Sequence, residues 1–392
     1  MFKKSEAPLK NKGAFYFFSI LILFFLPAIL LMGTIEALAW YTGETQPLTM
    51  IARWQDQGPG RIWRGGDGRS YISYKLARLA ELAKRNEPQI LVLGSSRSLA
   101  YRHEDFEPFS FYNAAECGWT FNHYIRFLTL LEKRTGRLPK VVIFNLDFSM
   151  FSEDFDKVWA DRFYVTPETH WAGLKIVLDH TVKSIDWPFF PAKDRPPVFP
   201  GTPDPNIKIW NKLSDTDHLR GYAAVLTDFG FQEDGSMHFG RDIPKDPLRL
   251  VDDNIFIGVP PVEGGDVVAK NQLEAFEKFV KFAKSKNIIL IGVQVPYYDK
   301  VISGFEKYKH NGVWKDIRSP ERKKYFEDHG VIFFDLSDMP KYRYHPEFFL
   351  DSVHPGYRIM RDVTETIMSS PETRQDFLKA GLPDSILAVH KP

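Results

Sequence analysis

The plainest hydrophobic pattern lies at the start of the chain. From Ala14 to Met32 every position except Ser19 is apolar. Nineteen helical residues rise about 28 Å, close to the hydrocarbon thickness of a bilayer. Pro27 allows a kink without forbidding insertion, because neighbouring groups re-satisfy the freed carbonyl. Trp40 and Tyr41 follow where interfacial aromatics sit. The pattern predicts a transmembrane helix within residues 14–40 and contact with the membrane through it. Lys3, Lys4, Lys10 and Lys12 precede the run, and only Arg53 lies in the twenty residues after Trp40. That asymmetry predicts a cytoplasmic tail over 1–13 and a single pass through the cytoplasmic membrane, with the main domain periplasmic or extracellular. A cleavable signal peptide is the rival reading. Ala37-Leu38-Ala39 fits its small-x-small cleavage pattern, but the apolar run exceeds the usual length of about 7–15 residues. Both readings put the remainder outside the cytoplasm.

Residues 41–75 read as a tether, with Gly58-Pro59-Gly60 and Gly65-Gly66-Asp67-Gly68. No Gly-Lys-Ser/Thr follows these glycines and no strand precedes them, so they predict flexibility rather than a phosphate loop. Helical spacing then sets in over 74–86 (Tyr74, Leu76, Leu79, Leu82, Ala83). Short continuous apolar runs follow at 90–93, 109–112, 141–144, 288–295 and 331–334. Between them, 123–134 and 267–284 carry amphipathic helical patterns, with Tyr124, Phe127, Leu128 and Leu131 on one face and Leu273, Phe276 and Val280 on the other helix. Buried strands alternating with helices predict a parallel sheet covered on both faces, a doubly wound, flavodoxin-like α/β domain. It is assembled from 76–150 and 263–392. Residues 151–262 break the rhythm with twelve prolines and a turn at Glu233-Asp234-Gly235-Ser236, and read as a large insertion or lid.

Composition narrows the chemistry. Lys and Arg number 51 against 50 Asp and Glu, so no net field points to nucleic acid as a partner. Cys117 is the single cysteine. It excludes an intramolecular disulfide, and before a glycine it reads as a packing residue rather than a nucleophile. The histidines at 103, 123, 170, 180, 218, 238, 310 and 329 show no metal-ligand spacing. Neither a metal nor another cofactor is called for, and the chemistry falls to Ser, His, Asp, Glu and Asn.

Ligands of open α/β sheets bind at the carboxyl ends of the strands. The first strand ends in Gly94-Ser95-Ser96-Arg97, a turn able to present a hydroxyl and backbone N–H groups. After the last strand stands Asp351-Ser352-Val353-His354-Pro355. A carboxylate three residues before a histidine can hold one imidazole tautomer while the ring acts as base toward a hydroxyl. His345-Pro346, a few residues earlier, reads as loop.

Taken together, Gly-x-Ser after the first strand and Asp-x-x-His-Pro after the last resemble the SGNH (GDSL-like) hydrolases over roughly 88–150 and 285–368. The resemblance makes Ser96 the nucleophile, His354 the general base and Asp351 its orienting partner. It assigns the oxyanion hole to Ser96 and to Gly118, in Asn113-Ala114-Ala115-Glu116-Cys117-Gly118. This chain departs from the family in two places: Ser95 stands where an Asp is usual, and the third strand ends Asn145-Leu146-Asp147. Asp147 then occupies the place of an amide donor, and an ionised carboxylate cannot donate to an oxyanion. Asn145 serves only if the register shifts by two. Arg97, Asn113 and Asp147 are the candidate substrate-binding residues. With one span and an exported domain, the chain resembles the membrane-anchored branch that includes the D-alanyl-transfer protein DltD and the alginate O-acetylation proteins. That resemblance implies a serine esterase or O-acyltransferase acting on acylated cell-envelope glycan or polysaccharide, beside a multi-pass membrane acyltransferase. The alternative is a weak or inactive scaffold that binds glycan or such a partner.

Overall fold

The structure is a computed structural model. It describes residues 12–58, 60–65, 71–153, 155–159, 163, 165, 222, 229–239, 265–307, 310–350 and 353–382. Helix α1 (Lys12–Tyr41) contains the apolar run. Over Tyr16–Tyr41 it is long and apolar enough to cross a membrane, and its large apolar side chains from Tyr16 to Met32 are exposed, whereas Ala39 near its end is buried.

Five strands form one parallel sheet: β1 (Ile90–Leu93), β2 (Phe111–Asn113), β3 (Val141–Asn145), β6 (Ile289–Gln294) and β7 (Val331–Asp335), in the order β2-β1-β3-β6-β7. The chain leaves β1 for β2 on one side and returns to β3 on the other. The apolar runs are continuous where the strands are buried on both faces: β1, β2 and β3 consist of buried residues only, while the edge strand β7 ends in the exposed Asp335. Helices flank the sheet. They are α3 (Tyr71–Leu82), α4 (Phe121–Thr135), α6 (Lys270–Ser285), α7 (Asp299–Lys307), α8 (Gly312–Ile317), α9 (Pro320–Asp328), α10 (Tyr357–Ser369) and α11 (Pro371–Lys379), with α5 (Phe155–Trp159) after β3. Helix α4 shows why they form. Thr120 Oγ1 accepts from His123 N at its start, Gly136 at φ 74° ends it, and Phe121, Tyr124, Phe127, Leu128 and Leu131 share its buried face.

The region 41–75, expected as a flexible tether, is folded where it is described. It holds α2 (Leu48–Gln55) and the start of α3, and Ile51, Ala52 and Trp63 are fully buried. Trp63 stacks on Tyr74 at 4.6 Å between centroids, and the Tyr74 hydroxyl donates to Gln55 Oε1 at 2.6 Å. The partner surface comes from the insertion. Strands β4 (Phe229–Phe231) and β5 (Met237–Phe239) make an antiparallel hairpin, and Gln55 Nε2 donates to Phe231 O at 3.0 Å. Its turn docks on the sheet edge, where Asn113 N donates to Asp234 O at 2.7 Å. Lys75 Nζ, fully buried, bridges the two through Asn113 O and Gly235 O, each at 2.9 Å. Gly235 is required there: its φ is 79°, and a Cβ would lie 2.3 Å from Asn113 O. The described part of the insertion thus lies beside the sheet; most of 151–262 is outside the described residues.

Candidate active site

Past Leu93 the chain turns tightly. Gly94 permits this, since a Cβ there would stand 2.8 Å from Asn145 Cβ and 2.6 Å from Ser98 Oγ. Ser95 caps a short 3-10 turn over Ser96–Ser98, its Oγ accepting from Arg97 N at 3.4 Å. Ser95 Oγ also donates to Asp147 Oδ2 at 3.3 Å and accepts from Asn145 Nδ2 at 3.2 Å. Ser95 therefore faces the end of the third strand, while Ser96 meets the histidine loop.

Ser96 Oγ lies 2.7 Å from His354 Nε2. With the imidazole proton on Nδ1, the hydroxyl donates to Nε2, the arrangement a base-activated serine requires. His354 is buried at 9% exposure, in a pinched loop. Phe349 pairs with Pro355, Leu350 N donates to His354 O at 2.9 Å, and Gly356 N donates to Phe348 O at 2.9 Å. Only glycine fits at 356, because a Cβ would come within 2.5 Å of Phe348 O. Asp351 and Ser352, at the tip of this loop, lie outside the described residues.

The third strand contributes differently from its expected role. Asn145 is buried, and both amide donors are directed inward, to Ser95 Oγ and to Asp147 Oδ2 at 2.6 Å. Asp147 forms a buried ion pair with Arg97. Arg97, expected to face substrate, spends its remaining donors on backbone: Nε on Val353 O at 3.0 Å, Nη2 on Val295 O at 2.7 Å and on Pro296 O at 3.1 Å. Asn113 is likewise turned inward. Its Nδ2 lies against the carbonyls of Ser98, Leu99 and Tyr101, and its Oδ1 accepts from Ala115 N at 2.9 Å. It ties the loop after Ser96 to the end of β2.

Gly118 belongs to a loop that folds back over β1. Glu116, at φ 66°, donates its N–H to Gly94 O at 2.8 Å. A Cβ on Gly118 would meet His123 Cβ and Tyr124 Cδ1 at 3.0 Å, so close packing on α4 also favours glycine there. Beside it, Cys117 is fully buried, and burial pushes its thiol up to about 12, which keeps it protonated and inert. His345 Nδ1 lies 2.9 Å from Glu347 Oε1 on the surface. Among the described residues no group of three His, Cys, Asp or Glu side chains is placed to hold a metal.

One residue of the cluster escaped the reading of the sequence. Tyr297 follows Val295-Pro296 at the end of β6; its ring centroid lies 3.5 Å from Arg97 Cζ and its hydroxyl donates to Asp147 Oδ1 at 3.4 Å. The signal was its position just past a strand's carboxyl end. No family model, curated protein or solved structure matches the chain.

Proposed function

We propose that the chain is a membrane-anchored, exported serine esterase or O-acyltransferase of the SGNH type, acting on acylated glycan or polysaccharide of the cell envelope. The observation that carries this reading is the 2.7 Å contact between Ser96 Oγ and His354 Nε2. The doubly wound, flavodoxin-like arrangement proposed for the sheet puts that pair at its ligand-binding edge. Ser96 Oγ attacks the ester carbonyl as its proton passes to Nε2. The carbon–oxygen bond to the alcohol then breaks, and His354 returns the proton to the leaving oxygen. Water or a sugar hydroxyl attacks the acyl carbonyl and gives its proton to His354; the bond from the acyl carbon to Ser96 Oγ then breaks, and His354 passes the proton to Oγ. Asp351 orients the imidazole through Nδ1, and the backbone N–H groups of Ser96 and Gly118 hold the oxyanion. The lysine asymmetry around the span puts this domain outside the cytoplasm, where a multi-pass acyltransferase in the same membrane supplies the acyl group.

A second reading, a weak or inactive scaffold that binds glycan or the acyltransferase, is favoured by one observation. The donors of Asn145 and the carboxylate of Asp147 are engaged within the protein. The third strand thus offers no donor, and a missing oxyanion donor costs about 10²–10³ in rate.

Labelling the full chain in detergent with a fluorophosphonate separates the two. The first reading expects modification at Ser96, abolished in Ser96→Ala. That variant loses one hydrogen bond, about 1 kcal/mol, and stays folded. A folded wild-type chain that takes no label supports the scaffold.

A further inference from the structure

Arg97 is the most heavily engaged side chain of the cluster, and its contacts join three segments distant in sequence. The guanidinium carries five N–H donors in a rigid plane. Nε binds Val353 O, Nη2 binds Val295 O and Pro296 O, and Nη1 meets Asp147. The ring of Tyr297 covers its face. Val353 immediately precedes His354, and Arg97 immediately follows Ser96. The two neighbouring pairs are therefore joined twice, once through Ser96 Oγ and His354 Nε2 and once through the Arg97 side chain and the Val353 carbonyl.

We propose that Arg97 is the positioning residue of the site, holding the peptide before His354 against the end of β6 so that the imidazole meets the Ser96 hydroxyl. This rests on the serine-nucleophile reading. The Arg97–Val353 bond is a second attachment beside the Ser96–His354 contact and restrains rotation of the histidine loop about the first; its anchor at Val295 and Pro296 is the end of a buried strand. The role also accounts for the carboxylate at the end of the third strand. Asp147 is the counter-ion that makes a buried guanidinium tolerable, and Asn145, Ser95 and Tyr297 hold it in place. Stability alone explains the pair poorly, since buried ion pairs are often replaceable by apolar residues at no loss. What an apolar pair cannot do is bind three carbonyls in a defined plane.

Arg97→Lys tests the proposal on the full chain in detergent, read as the rate of fluorophosphonate labelling against pH. Lysine keeps the charge beside Asp147, but its compact ammonium cannot span Val353, Val295 and Pro296. The labelling rate is expected to fall about 10–100-fold, as a site displaced by up to about 1 Å does, with the acid limb of the profile unmoved. The loss in Arg97→Lys is expected in the limiting labelling rate and not in the probe concentration of half-saturation, because the displaced group is the base that activates Ser96 rather than the pocket that holds the probe. Should Arg97→Lys not fold, Tyr297→Leu removes the platform without touching a charge and is expected to slow labelling about tenfold. Labelling of folded Arg97→Lys, or of Tyr297→Leu in its place, at the wild-type limiting rate overturns the proposal, as does a loss confined to the half-saturation concentration. A wild-type chain that takes no label overturns instead the serine reading beneath it.

Discussion

Gly94→Ala perturbs the site through packing alone. The added methyl carbon would stand 2.6 Å from Ser98 Oγ and 2.8 Å from Asn145 Cβ. These two obstacles differ. Ser98 Oγ has no hydrogen-bond partner among the described residues, so it rotates away at little cost. Asn145 is held by Ser95 and Asp147 and stands at the end of a central strand. Restoring ordinary contact at 3.4 Å requires the strand ends to part by roughly 0.6 Å. Overpacking a close-packed interior on that scale costs about 1–3 kcal/mol. The same displacement falls on the turn carrying Ser96, and with about 10²-fold lost per ångström of misplacement, labelling by fluorophosphonate should slow about tenfold. Gly136→Ala is the control. Gly136 has φ 74° and open space around it, so alanine costs about 1–2 kcal/mol of backbone strain at the far end of α4. Urea unfolding should show both variants destabilised, while only Gly94→Ala loses labelling rate. The packing argument is refuted if Gly94→Ala unfolds within about 0.5 kcal/mol of wild type and labels within twofold.

Two further predictions concern pH. Burial draws Lys75 down to about 8, below its value in an unfolded chain, so the unfolded chain binds more protons from about pH 8 to 10.4. The stability of wild type relative to Lys75→Met should therefore rise across that window, by up to about 3 kcal/mol; a difference flat with pH contradicts the assigned burial. Asp105 shows the opposite case. Burial raises its carboxyl to about 6, against a hydrogen bond from the Tyr357 hydroxyl at 3.1 Å. The folded chain then binds more protons between about pH 4 and 6, and stability falls as pH rises through that range. Asp105→Asn keeps an acceptor for Tyr357 and should flatten the slope, and a slope equal to wild type in equilibrium unfolding would rule the assignment out.

The residues themselves determined the apolar helix, the five strands and the pairing of types at two strand ends. Each of these rests on local information: nineteen positions broken only by Ser19, short apolar strand segments, and Ser96 and His354 standing after the first and the last strand of the sheet. Element ends moved by a few residues, as with β2 at Phe111–Asn113 and α3 at Tyr71–Leu82, because caps and tertiary contacts set them. Tertiary structure decided the rest. The stretch after the membrane helix folds because Trp63 and Gln55 meet Phe231, about 170 residues later, and nothing nearby in sequence announces that partner. It likewise decided that Arg97, Asn113, Asn145 and Asp147 face inward. All four carry side chains suited to a substrate, and residue type does not distinguish a donor open to solvent from one already spent. Arg97 reaches Val295 and Val353, 198 and 256 residues away, and only the folding of the sheet brings those carbonyls within 3.0 Å of a guanidinium.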